Sequence, residues 1–211
     1  GAFFNCSGLT SVEFNAENCT SMGSDEYPVF SGCTALSTVI IGDNVKNIPD
    51  YAFYKCTGLT SIDIPNSVTS IGNDAFYRCS GLISVVIGDG ATNIGDRAFL
   101  YCSALAKVEL NCRSVGVWFS YNASITDIVI GSSVASIEDR AFSGCIGLTN
   151  MTNAAGNTKY DSRENCNAII ETESNTLVIG CKKTIIPGSV TSIGNSAFSN
   201  CSGLTSVEIP N

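Results

Sequence analysis

The side chains best suited to chemistry in this sequence are eleven cysteines and nineteen carboxylates. A thiol serves as nucleophile, metal ligand or redox partner only when a base, a second ligand or a second thiol stands beside it. The chain has no histidine, which removes Ser-His-Asp and Cys-His catalysis and the commonest metal ligand together. No Cys-x-x-Cys and no Gly-x-x-x-x-Gly-Lys occurs, and Gly88, Gly90 and Gly95 lack the spacing of a dinucleotide fingerprint. A paired-carboxylate hydrolase is the one catalytic chemistry the composition leaves open. The residues argue against an enzyme, and no catalytic, cofactor-binding or metal-binding residue is assigned.

The cysteines instead mark a period. Ala52-Phe53-x-x-Cys56-x-x-Leu59-x-x-Ile62-x-Ile64 recurs around Phe76, Cys79, Leu82, Val85 and Ile87, and again around Phe99, Cys102, Leu105, Val108 and Leu110, each copy 23 residues on. Weaker copies carry Phe3/Cys6, Phe30/Cys33, Phe119/Asn122, Phe142/Cys145 and Phe198/Cys201, making eight. Such a period is the signature of a solenoid, because one repeat cannot bury its apolar face alone. Apolar residues at every third position suit a tight turn, and the closing x-Val-x-Ile alternation suits a short strand. Gly or Pro then ends the strand, as at Pro65, Gly88, Gly131 and Pro210. A second apolar pair, such as Val68/Ile71 or Val190/Ile193, returns the chain on the other side. Asp50, Asn73, Asp96, Asp139 and Asn195 stand three residues before the Phe, where they are expected to cap a short helical turn. Seven cysteines, from Cys6 to Cys201, hold one inward site and read as a column of buried thiols, while Cys19 and Cys112 lie outside it.

The interval from Phe142 to Phe198 exceeds the repeat by 33 residues. Residues 152–186 are read as an atypical rung with an inserted β-hairpin, since two β-prone runs between Cys166 and Cys181 flank a polar turn near Glu173 and Ser174. In a hairpin turned there the two thiols face each other, so Cys166 and Cys181 are a candidate disulfide, with two free buried thiols as the alternative. Residues 1–211 otherwise form a single solenoid of about nine rungs, opening in the middle of a repeat. That opening implies that upstream repeats or a leader have been removed.

At these residues the sequence resembles the BspA-like leucine-rich-repeat family. The most specific elements are Val-Thr-Ser-Ile-Gly-Asn-x-Ala-Phe-x-x-Cys-Ser-Gly-Leu at 68–82 and 190–204, and the block at 157–172 is similar to an insert of Bacteroides-type members. The resemblance implies a right-handed leucine-rich-repeat solenoid of short parallel β-strands with short helical or 3₁₀ turns. It also implies an extracellular or cell-surface location and adhesion to host or cell-surface proteins.

A formal charge of −8 with no basic run argues against nucleic acid as a partner, and no stretch is long and apolar enough for membrane insertion. Two surfaces are candidates for binding a protein, or secondarily a glycan. On the main strands the outward column is Glu13, Ile40, Asp63, Val86, Glu109, Val129 and Glu208, which alternates acidic and apolar rows. Its apolar members are equally accounted for by the strand preference of β-branched residues. An aromatic ridge follows the repeat Phe through Phe4, Tyr54, Tyr77, Tyr101 and Tyr121, with Lys55 and Arg78 beside it. Tyr and Arg anchor binding hot spots, although rings lying flat over the turn would give the same pattern. The functional expectation is an adhesin-like binding module, with a structural spacer of a larger surface protein as the alternative.

Overall fold

The computed structural model describes residues 1–210. It is a parallel-strand β-solenoid of about six turns with almost no helix, and it divides into two compact units, one from Gly1 to Leu105 and one from Ala106 onward.

The first unit holds β1 (Ser11–Phe14), β2 (Thr38–Ile41), β3 (Asn47–Ile48), β4 (Ser61–Ile64), β5 (Ser70–Ile71), β6 (Ser84–Ile87) and β7 (Asn93–Ile94). β1 pairs in parallel with β2, β4 with β6, and the short strands run β3-β5-β7 along a second side. Each four-residue strand turns its second and fourth residues inward, Val or Ile except for Phe14 in β1; in β4, Ile62 and Ile64 are buried while Ser61 and Asp63 are exposed. The period of two does this, since successive side chains leave a strand on opposite faces. Inside, Phe30, Phe53, Phe76 and Phe99 stack face to face, with centroids 5.8, 5.4 and 5.2 Å apart in order.

β2 and β4 are neighbours without a hydrogen-bonded ladder. Proline removes one of the bonds such a ladder would have. The residue after each strand donates its N–H to the last strand residue of the coil before, as Gly42 does to Phe14 and Gly88 to Ile64 (both 2.9 Å). Pro65 occupies that position after β4 and has no N–H to give.

The stretch from Asp50 to Lys55, expected as a short helical turn, is not helical. Tyr51, Phe53 and Lys55 donate to the carbonyls of Asn73, Ala75 and Tyr77 in the next coil at 2.8–3.0 Å, while Ala52, Tyr54 and Cys56 close turns back onto Pro49, Tyr51 and Phe53. Left-handed residues interrupt the helical path and free these N–H groups for the neighbouring coil. Tyr51 and Lys55 accordingly have φ of 57°. The expected caps are corrected with it. Asp50 Oδ1 accepts from the N–H of Asn73 at 2.7 Å, and Asn73 Oδ1 from that of Asp96 at 2.8 Å. Asp50 and Asn73 thus tie their coils to the next instead of capping a turn in their own, and Asn195 Nδ2 donates to Asp139 Oδ2 at 2.7 Å.

The second unit holds β8 (Lys107–Leu110), β9 (Ser114–Val115), β10 (Asp127–Ile130), β11 (Ser136–Ile137), β12 (Asn150–Asn153), β13 (Tyr160–Asp161), β14 (Ile169–Glu171), β15 (Thr176–Ile179) and β16 (Ser192–Ile193). β8-β10-β12 and β9-β11 are parallel. The insert breaks this pattern, with β13-β14-β15 antiparallel and β15 joined in parallel to β16. The β14-β15 hairpin does not project. Its Ile170 and Leu177 pack with Cys166, Ala168, Ile186 and Ala197 in a small core of their own. The single helical element among the described residues is a 3₁₀ turn at Arg163–Asn165.

Candidate binding surface

The position just before each repeat cysteine, or before Asn122 in the copy that lacks one, lies in the left-handed region in all eight copies. It is held by Asn5, Gly32, Lys55, Arg78, Tyr101, Tyr121, Gly144 and Asn200, with φ between 57° and 82°. Four of these are Asn or Gly, the residues that adopt this conformation readily. The other four are large cationic or aromatic side chains, for which it is strained. A second such column, two residues before the Phe, contains Tyr51, Asp74, Arg97, Arg140 and Ser196.

In the first unit these columns build a ladder of aromatic rings and cations. Tyr54 stacks on Tyr77 with centroids 5.2 Å apart and planes 8° apart, Tyr101 meets Tyr77 edge-on at 5.4 Å, and Tyr51 meets Tyr54 at 5.9 Å. Lys55 Nζ lies 4.9 Å from the Tyr54 centroid, and the Arg78 guanidinium lies 5.4 and 5.5 Å from those of Tyr77 and Tyr101. Each such contact contributes about 0.5–1 kcal/mol on a surface and, more usefully, orders long side chains before anything binds. Arg97 also reaches Tyr77, and its Nη2 pairs with Asp74 Oδ2 at 2.6 Å. Asp74 is buried, and loss of hydration raises its carboxyl pKa despite that partner. Lys55 and Arg78 form no ion pair among the described residues.

The expected ridge is thus partly assembled. Tyr54, Tyr77 and Tyr101 are contiguous, but Phe4 stands apart because the intervening coil has Ser31 where a ring would be needed. Tyr121 is the most exposed of the ridge residues at 72 % and belongs to the second unit. Tyr101 and Tyr121 are not in the column of Tyr54 and Tyr77 but one residue further along, in the strained column. Tyr51 and Arg97 were not expected. Their equivalents in the other copies differ in type, so the repeat gave no signal for them; Asn or Gly at four pre-cysteine positions was the available clue to the left-handed column.

On the strand face Glu13 lies beside Ile40, Asp63 beside Val86, and Glu109 beside Val129. Ile40 is exposed, Val86 and Val129 are half-buried, and Glu208 is a correction: residues 203–210 form no strand, so it is not part of a sheet face. Between β2 and β4 the missing ladder leaves an open groove of about 590 Å³ lined by Ile40, Asp63, Pro65 and Ser67 among others.

The thiols are structural. Cys33, Cys79, Cys102 and Cys145 each donate to the carbonyl of the Phe one coil back at 3.1–3.3 Å, and Cys56 does so at 3.8 Å. Burial pushes the thiol pKa of Cys56, Cys102 and Cys145 up to about 12, and it raises that of Cys79 well above its ordinary value. The inward site is less uniform than expected, because Cys6 is exposed and Cys201 half-buried in the first and last copies. Cys112, outside the column, is buried and donates to the Ser114 carbonyl at 3.4 Å. Cys166 and Cys181 are free thiols. The hairpin pairs Glu171 with Thr176 and Ile170 with Leu177, then slips by one residue at a bulge to Ile169 with Ile179. Past the bulge the two cysteines lose their opposition, and each donates to a nearby carbonyl, Cys166 to Ala168 and Cys181 to Asn167.

This arrangement of stacked parallel strands, phenylalanine ladder and inward cysteines defines a leucine-rich-repeat scaffold. The sequence matches the BspA type leucine rich repeat region in six copies, over residues 1–106, 24–149 and 170–211. The chain belongs to that family. No curated protein matches it. Among solved structures it is similar to a leucine-rich repeat protein from Eubacterium ventriosum (TM-score 0.66, 20% identity, 95% of this chain and 54% of that one). A leucine-rich repeat protein from Bacteroides ovatus is also similar (TM-score 0.59, 23% identity, 97% and 50%). A third is the leucine-rich repeat protein of T. pallidum (TM-score 0.55, 28% identity, 70% and 69%). The chain spans about half the length of the first two.

Proposed function

We propose that this chain is an adhesin-like module of an extracellular or cell-surface protein, and that it binds a host or cell-surface protein through the tyrosine and cation ladder of residues 51–101. The observation that carries this reading is the strained column. Asn or Gly fits the site before the cysteine readily and holds it in four copies, yet exposed Arg78, Tyr101 and Tyr121 and half-buried Lys55 place large side chains there. Backbone strain retained under solvent-accessible Tyr, Arg and Lys favours a surface selected for contact over one selected for stability. Leucine-rich-repeat proteins are typically scaffolds without catalysis, which agrees with binding as the role. We take the coil to be right-handed with nine rungs, as family resemblance and repeat count imply.

The test is a binding screen of the purified chain against immobilised host matrix proteins, repeated with Tyr77→Ala. A bound protein whose affinity falls about tenfold or more in the variant supports the reading, since hot-spot truncations cost 2 kcal/mol or more. Absence of binding, or equal binding by the variant, refutes it and leaves the spacer role.

A further inference from the structure

Three of the four cations in residues 1–105, Lys55, Arg78 and Arg97, stand on the tyrosine ladder, although these residues include ten carboxylates. Arg97 is matched by Asp74, so Lys55 and Arg78 are the uncompensated pair. The ground beside them is free of acid. Residues 4–12, 31–39, 54–62, 77–85 and 100–105 follow the same path in successive coils and contain no Asp or Glu. All the carboxylates of this unit lie on other parts of the coil.

The strip also has a particular composition. Tyr54-Lys-Cys-Thr-Gly-Leu-Thr-Ser61 and Tyr77-Arg-Cys-Ser-Gly-Leu-Ile-Ser84 turn Cys and Leu inward. They leave Tyr, Lys or Arg, Ser or Thr, and Gly outside, with one exposed apolar residue, Ile83. That is the mixture found in antibody combining sites, where rigid rings supply contact area and small hydroxyls adapt their hydrogen bonds. The Tyr54 and Tyr77 faces are occupied by each other and by the cations, which leaves ring edges and N–H donors for a partner. Such edges suit hydrogen-bond acceptors better than flat sugar faces.

We infer that the strip bearing Tyr54, Lys55, Tyr77, Arg78 and Tyr101 docks an acidic segment of a protein partner, its carboxylates meeting Lys55 and Arg78. This rests on the binding role proposed above and specifies the chemistry of the partner. Nine of the unit's ten carboxylates stand off this strip and form no ion pair among the described residues, while Asp74, next to it, is matched by Arg97, so the charge pattern sets register as well as attraction.

Anisotropy of a labelled peptide alternating glutamate and serine, titrated with the whole chain, tests it. Two further probes are the same peptide with glutamine for glutamate, and a galacturonic-acid oligomer. The acidic peptide should bind saturably, weaken as salt rises, and lose about tenfold in affinity with Lys55→Asn or Arg78→Asn. Asn is natural in this column at Asn5 and Asn200 and relieves the backbone, so these variants fold. Lys46→Asn, which removes the fourth cation of the unit away from the strip, should bind as the unmodified chain does. Equal binding of the glutamine peptide, unchanged affinity in the Lys55 and Arg78 variants, or binding of the galacturonic-acid oligomer alone would each overturn the inference. A matrix protein that still binds in a Tyr77-dependent way while ignoring both charge variants would overturn the acidic partner and leave the binding role standing.

Discussion

Replacing Arg140 by Asn should stabilise the protein, and the size of the gain measures the strain on which the functional reading depends. Arg140 has a φ of 68°, is exposed, and takes part in no ion pair or ring contact among the described residues. A non-glycine residue in this region carries roughly 1–2 kcal/mol of steric cost. Asn is several-fold enriched there, which at thermal energy is worth about 0.5–1 kcal/mol. Little burial is lost with so exposed a side chain, and moderate salt screens the lost charge near Glu138 and Asp139. The expected rise in melting temperature is about 2–4 °C per kcal/mol for a chain of this size, read by calorimetry. The same change at Arg78 should yield less, because its contacts with Tyr77 and Tyr101 are lost and offset about 0.5–1 kcal/mol. If Arg140→Asn leaves the melting temperature unchanged or lowers it, a large side chain at a left-handed site of this coil is not strained, and the same argument applied to the neighbouring column of Lys55, Arg78, Tyr101 and Tyr121 collapses.

Cys79→Ser should cost no more than Cys79→Ala, about 1–2 kcal/mol, because the hydroxyl finds the Phe53 carbonyl that the thiol now uses while Ala leaves a small void; a much larger loss for Ser in urea denaturation would mean the carbonyl is out of its reach. A thiol-specific chromogenic reagent should modify exposed Cys6 quickly and leave Cys56, Cys79, Cys102 and Cys145 untouched until denaturant is added, and rapid native labelling of Cys79 would contradict its burial. The Glu171 carboxyl pKa is lowered by its hydrogen bonds with Lys159 and Ser174. A lowered folded pKa means stability present above the ordinary carboxylate range and lost as pH falls through the folded value. Protection of the Ile170 and Leu177 amides, measured against the intrinsic exchange rate at each pH, should therefore fall on acidification in the unmodified chain, and Glu171→Gln should flatten that dependence; an unaltered pH profile in the variant would remove Glu171 from the account.

The 23-residue period by itself determined the scaffold. Phe, Cys, Leu and alternating Val and Ile at fixed intervals can be buried together only by stacking one coil on the next, and the described core follows that pattern residue by residue from Phe30 to Leu105. Side-chain columns on the surface were legible for the same reason, since the repeat fixes which positions point outward. The backbone between Asp50 and Cys56 was not legible, because helical capping and coil-to-coil pairing both want Asp or Asn three residues before the Phe. Only the packed neighbour at Asn73, Ala75 and Tyr77 decides where those N–H groups go. Cys166 and Cys181 failed as a pair for a related reason: a one-residue bulge at Ile169 depends on how the hairpin packs under Ile186 and Ala197, and no local signal announces it. The ladder of Tyr54, Tyr77 and Tyr101 with Arg78 likewise needed the tertiary structure. Sequence places rings in columns, but the register and handedness of each residue in the turn decide whether those rings touch each other, a cation or water.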